Sequence, residues 1–304
     1  MLDIYTLSGR INSLEKKFIN YEKLKRLIES RTIEEFINLL EGTFFKIPHI
    51  SVPEDILNFF ENERLKLIEE IKKTFEGEIV YFFLLKYDYH NLAVIVEGKE
   101  NYSFYGNINF YTLKEAFQKN DISKIPEFLK SGFKIIRSSE QIKNKILLLK
   151  IDYYQTLYKI AEKISEFTKN YVKIEIDFAN LETYLNLKIF EEKIEFSKFI
   201  ENGNIKVEYF LNEDILKKSF NSKYKKEIQF SEINIEIEKY RILIDYLKVG
   251  RIMPYGIDKI ISFYIAREIE IKNLQNLTLS KFYKQEGDFL NKISIKPYQY
   301  REDL

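Results

Sequence analysis

The 304 residues carry 48 Lys and Arg against 47 Asp and Glu, and a net charge of +1 gives neither nucleic acid nor an anionic membrane surface an electrostatic hold on the chain. The complete lack of cysteine excludes disulfides, thiolate nucleophiles and Cys-based zinc sites, and it fits a reducing compartment. A hydrophobic content of 45% excludes wholesale disorder, and the length suffices for two or three domains or one extended repeat.

Taken in chain order, the sequence predicts helices almost throughout. Met1-Leu2-Asp3-Ile4-Tyr5 has no basic stretch followed by an apolar run, so no signal peptide is expected. Between residues 10 and 30, Ile11, Leu14, Phe18, Tyr21, Leu24, Leu27 and Ile28 fall at steps of three and four, which predicts one amphipathic helix. Thr32-Ile33-Glu34-Glu35 reads as a capping box that opens a short helix stopping at Gly42. Pro53, in the first turn of the next helix, starts a run to about Phe75, and Gly77 separates it from a helix over residues 78–97. The longest apolar run, Ile79 to Leu85, is about a third of the ~20 residues a bilayer span requires, so no direct bilayer span is expected.

After the turn at Tyr105-Gly106-Asn107, short helices are expected near residues 112–119 and 125–130, then a long helix over 139–169 and another over 173–196. Residues 207–211 could form a strand, but one short segment has nothing clear to pair with. Helices over about 212–220, 231–248 and 257–283 complete the chain, the last two separated by Gly250-Arg251-Ile252-Met253-Pro254-Tyr255-Gly256. The class expected is all-α.

One pattern recurs within this helical background. Asp88-Tyr89-His90-Asn91-Leu92, Asp177-Phe178-Ala179-Asn180-Leu181 and Glu270-Ile271-Lys272-Asn273-Leu274 are copies of acidic-x-x-Asn-Leu, at steps of 89 and 93 residues. Each copy has an apolar residue before the acid (Tyr87, Ile176, Ile269) and another seven places after it (Ile95, Tyr184, Leu277). A fourth match at Glu35-Phe36-Ile37-Asn38-Leu39 is out of step and has Glu34 and Gly42 in those places, so it is set aside. Gly-Asn-Ile follows the first two copies, at 106–108 and 203–205. Even spacing of this kind predicts three related units, divided near residues 1–104, 105–202 and 203–304. Acid, amide and Leu share one helix face, so the acid is expected to accept bonds from a neighbouring helix start, or from an Arg or Lys, while the Asn ties backbone across a packing seam.

Site chemistry is sparse. His49 and His90 are the only histidines, too few for the usual His cluster of a zinc site, and His90 is expected at the surface. Gly98-Lys99 lacks the earlier Gly of a P-loop, Ala93 standing near its place, and after Gly256 comes Ile257 where Lys would be needed. No nucleotide, metal or other cofactor is expected, and no catalytic residue is assigned. Lys217, Lys218, Lys223, Lys225 and Lys226 form one local basic cluster, read as a solvated loop with an acidic partner as the alternative.

Residues 86–92 and 250–256, with the segment Ile261 to Leu274, resemble the C subunit of the V/A-type ATP synthases and ATPases, whose counterpart in eukaryotic vacuolar pumps is the d subunit. The family has a Tyr-Asp-x-x-Asn-Leu segment, here Asp88 with Asn91, and a Gly-containing turn leading to Glu-x-x-Asn-Leu, here Glu270 with Asn273. Residues 10–43 are also similar. Ala93 and Gln275 depart from basic residues usual in the family. The resemblance implies three similar helical domains around a pseudo-threefold axis, forming a funnel without catalytic activity. It implies a socket between the central-shaft subunits of the soluble head and the membrane rotor ring that carries ions, at the cytoplasmic face of the cell membrane. Two other readings remain at this stage. One is a helical-repeat scaffold outside any ion pump. The other is an all-α enzyme using Asp88, Asp177 and Glu270 as acid–base or metal groups.

Overall fold

The structure, a computed structural model, describes residues 3–48, 50–225, 232–285 and 287–299. Among these residues it is all-α, with no strand. Local chemistry sets the helix limits. Asp3 accepts from the Tyr5 and Thr6 amides to open α1 (Ile4–Leu14), and Asn20 accepts from the Lys23 amide to open α2 (Tyr21–Glu29). The helix expected over residues 10–30 is therefore two helices, parted at Phe18 to Asn20. Thr32 Oγ1 accepts from the Glu35 amide at 3.1 Å to open α3 (Ile33–Leu39), and the Glu35 carboxylate accepts in turn from the Arg31 amide. Pro53 begins α4 (Pro53–Thr74). Gly77 and Gly98, both at positive φ, bracket α5 (Glu78–Glu97).

Next come α6 (Phe110–Lys119) and α7 (Lys130–Arg137), then α8 (Ile142–Ile164) and α9 (Glu166–Ile189). Ser165 ends α8 and caps α9, its Oγ accepting from the Thr168 amide at 3.0 Å, so the second motif helix starts seven residues before the expected Lys173. Residues 207–211, where a strand would have had nothing to pair with, form a 3₁₀ helix: the Phe210 side chain is wholly buried, and there is no strand among the described residues. Then follow α10 (Glu213–Tyr224), α11 (Glu232–Arg251), α12 (Ile257–Phe282) and α13 (Gly287–Ile293).

The chain packs as two compact units, one of residues 1–70 with 229–304, the other of residues 71–228. In the first unit the core is largely aromatic. The Phe18 ring lies 5.4 Å from Phe44, 5.5 Å from Phe263 and 5.0 Å from Tyr298, with Phe36, Phe45 and Phe60 also buried. In the second unit α5 packs on α7 and α8, and α8 packs on α9. Leu84, Leu85, Leu92, Phe133, Ile176 and Leu181 are buried there, each such side chain contributing on the order of 1.5–3 kcal/mol. The helix α5 is long and apolar enough to cross a bilayer by length and composition. Half of it is buried within the protein, as in a core helix.

Replacing Ser165 by Ala removes the α9 cap and is expected to lower stability by about 1 kcal/mol, read from urea unfolding.

Candidate functional site

Each motif lies in the middle of a long helix: the first in α5, the second in α9, the third in α12. Positions three and four after the acid lie on the acid's own side of the helix, which turns all three residues toward packed neighbours. Asp88, Asn91 and Leu92 are completely buried, as are Asp177, Asn180 and Leu181. In the third copy Asn273 and Leu274 are buried and Glu270 is partly so.

The Asn of each copy makes the same two-point clamp on backbone. Asn91 accepts from the Ser103 amide at 2.7 Å and donates to the Ser103 carbonyl at 2.9 Å. Asn180 treats Ile200 likewise, at 2.8 Å for both bonds. Asn273 clamps Ile295, at 3.0 and 3.2 Å. One side-chain amide thus replaces the strand-like partner that an isolated loop residue lacks.

The acids hold loop backbone as well. Asp88 accepts from the Ile108 amide at 3.1 Å and from Asn107 Nδ2 at 2.7 Å. Asp177 accepts from the Ile205 amide at 2.9 Å, from Asn204 Nδ2 at 3.0 Å and from the Tyr224 hydroxyl. The two Gly-Asn-Ile segments are therefore carboxylate-binding loops. Their glycines are required by close approach: a Cβ at Gly106 or Gly203 would collide with Asp88 Oδ1 or Asp177 Oδ1. Glu270 differs. Its Oε1 accepts from the Ile19 amide at 2.8 Å, on a segment 251 residues earlier, and its buried Oε2 has no hydrogen-bond partner among the described residues.

These surroundings shift proton affinity. Burial pushes Asp88 and Asp177 up to about 6, although the hydrogen bonds to each carboxylate pull the other way. Burial pushes Glu270 up to about 7, opposed by the Arg267 charge and the Ile19 amide. Burial also raises Tyr224, with the Asp177 charge adding to it. Arg267, three residues before Glu270 on α12, lies with its guanidinium 3.4 Å from the Phe44 ring centroid.

The motif residues thus form three separate ties, each acid bonded to its own loop. The neighbours that complete the ties were not identified from sequence, although repetition of Gly-Asn-Ile was the available signal for two of them. Ile19 and Tyr224 carried no comparable signal. His90 is exposed, with Nε2 2.8 Å from the Asn101 carbonyl oxygen, whereas His49 lies outside the described residues. Among the described residues no group of three or more His, Asp and Glu could hold a metal. In the basic cluster Lys217 pairs with Glu213 at 2.7 Å, Lys218, Lys223 and Lys225 are exposed, and Lys226 lies outside the described residues.

Gly106→Ala and Gly203→Ala are each expected to cost about 1–3 kcal/mol in urea unfolding, through displacement of the carboxylate from its loop. Gly9→Ala, where a Cβ meets nothing, is the control and should be neutral or stabilising. The raised acids also fix a sign for pH. Their contribution to stability is fully present below the ordinary values of 3.8 and 4.5, and is lost as pH rises through about 6 for Asp88 and Asp177 and about 7 for Glu270. Glu270→Gln should narrow the difference in unfolding free energy measured on the two sides of that window.

Comparison with known proteins places this arrangement. A sequence model of the family described as "ATP synthase (C/AC39) subunit" matches residues 7–292. The chain is 25% identical over 309 residues to the C subunit of the A-type ATP synthase of Thermococcus gammatolerans, covering 88% of this chain and 83% of that protein. It is 24% identical over 342 residues to the C subunit of the A-type ATP synthase of Methanocaldococcus jannaschii, with 95% and 85% covered. It is 21% identical over 313 residues to the C subunit of the V-type sodium ATPase of Enterococcus hirae, with 92% and 94% covered. With the match running through all three motif helices, the chain belongs to the ATP synthase (C/AC39) subunit family.

Proposed function

We propose that this protein is a non-catalytic rotor subunit of a V/A-type ATP synthase or ATPase, a socket that joins the central shaft of the soluble head to the membrane ring carrying the ions. The observation that carries this reading is the use made of the motif acids. Asp88, Asp177 and Glu270 each hold the backbone amide of a distant loop, which makes them braces for packed helices. A coupling part must transmit torque without yielding, and close-packed helices with tied polar pairs resist deformation. The three-repeat division at 1–104, 105–202 and 203–304 belongs to the same proposal, and the shared Asn clamp in α5, α9 and α12 supports it.

In this role the protein sits peripherally at the cytoplasmic face of the cell membrane, within a complex, and needs two durable interfaces. Permanent interfaces bury ~2,000 Å² or more, and their centres are apolar and aromatic. Suitable side chains are exposed in each unit: Ile252 at 74% with Tyr255 and Tyr283 in the first, Phe104 at 71% and Phe190 at 70% in the second.

Affinity capture of a tagged chain from detergent-solubilised membranes should recover rotor-ring and shaft subunits together. Recovery of neither, from a properly folded tagged chain, overturns the socket reading. Ile252→Asp and Phe190→Asp should each reduce recovery of at least one partner while leaving the unfolding free energy within about 0.5 kcal/mol of the parent.

A further inference from the structure

The three acids do more than brace separate helices, because the segments they hold stand in a common order. Asp88 on α5 holds Ile108, and Asn109 then caps α6. Asp177 on α9 holds Ile205, immediately before the 3₁₀ helix that leads to α10. Glu270 on α12 holds Ile19, and Asn20 then caps α2. Ile108-Asn109-Phe110 and Ile19-Asn20-Tyr21 are the same device, an amide given to the acid followed by an Asn cap and an aromatic first helical residue. In the first two copies the held amide lies five residues beyond the clamped one, 103 to 108 and 200 to 205. The same step beyond Ile295 falls on Tyr300, outside the described residues, yet the amide Glu270 holds comes from the beginning of the chain.

We infer that the repeats are latched in cyclic order, each motif acid holding the start of the next repeat, and that Glu270 is the clasp returning the third repeat to the first. This clasp is also the weakest of the three latches. Phe18 stands where Asn107 and Asn204 stand, so it supplies no side-chain donor, and its ring belongs to the cluster of Phe44, Phe263 and Tyr298. Lys17 replaces the glycine that lets Asp88 and Asp177 approach so closely. Among the described residues, Glu270 consequently makes one bond where Asp88 makes two and Asp177 three, and its Oε2 has no partner there. The first unit opens at this clasp, freeing the segment around Phe18 to Asn20, while the latches of the second unit stay shut. The inference rests on the three-repeat division proposed above and not on the coupling role.

Amide hydrogen exchange on the full chain, resolved to single residues, tests it. In the parent protein the Ile19 amide should exchange faster than those of Ile108 and Ile205. Glu270→Ala should speed Ile19 a further ~10- to 100-fold, with Ile108 and Ile205 unchanged. Asp88→Ala should act on Ile108 and leave Ile19 unchanged. Glu270→Gln, whose carbonyl oxygen can still accept, should keep most of the Ile19 protection, so it reports on the clasp even if the Ala variant does not fold. An Ile19 amide as slow as the other two in the parent, or unmoved by Glu270→Ala, overturns the clasp. Acceleration spread evenly over all three amides in each variant overturns the cyclic assignment.

Discussion

A carboxyl group enclosed by aliphatic and aromatic side chains must be met by donors or give up its charge, and this constraint organises the chain. At Asp88 and Asp177 the donors come from a loop whose three residues divide the work. Glycine removes the Cβ that would occupy the carboxylate's place, asparagine reaches one oxygen with its side chain, and isoleucine gives its backbone amide to the other. The loop is thereby fixed in position before the next helix begins. Asn91 and Asn180 fix it a second time, five residues upstream. Two anchor points on one helix face leave the connecting segment few alternative paths.

The third copy shows which part of the device is indispensable. Glycine and the donating Asn are both missing from the segment that Glu270 holds, and the backbone amide alone remains. A longer side chain compensates in reach for the absent close approach. The vacated Asn position is used for packing, since Phe18 contacts three aromatic rings. Polar satisfaction has been exchanged for apolar burial, and an unpaired oxygen with raised proton affinity is the consequence.

Much of the helical layout was legible because it depends on local signals. Pro53, Gly77, Gly98 and the Thr32 box mark ends that steric and hydrogen-bonding rules fix without reference to the rest of the chain. Periodicity failed where a distant demand overrode it. The apolar steps continue through Phe18, yet the helix stops there because Ile19 must present its amide to Glu270, a partner 251 residues away. Ser165 was lost differently: apolar periodicity runs across both sides of it, and a single capping hydroxyl within a long amphipathic stretch is a weak signal. The motif acids and amides were visible as a repeat, but their partners were not. Backbone amides carry no residue-specific mark, so Ser103, Ile200 and Ile295 could equally have been any loop residue.

A brace and a catalyst place different demands on the same carboxylate. A general acid or base must exchange its proton with a reacting atom, which requires a lone pair directed at a site a substrate can enter. Asp88 and Asp177 direct theirs at amides that the fold itself holds in place, and both are fully buried. Their raised proton affinity, which in a cleft would mark a functional candidate, here follows from burial within helix packing. What such groups supply is resistance to displacement: shifting one helix relative to the next loop breaks an amide clamp and a carboxylate bond together. In this member of the ATP synthase (C/AC39) subunit family, that resistance is what the proposed coupling role would draw on, and it is obtained from three short motifs repeated along a single chain.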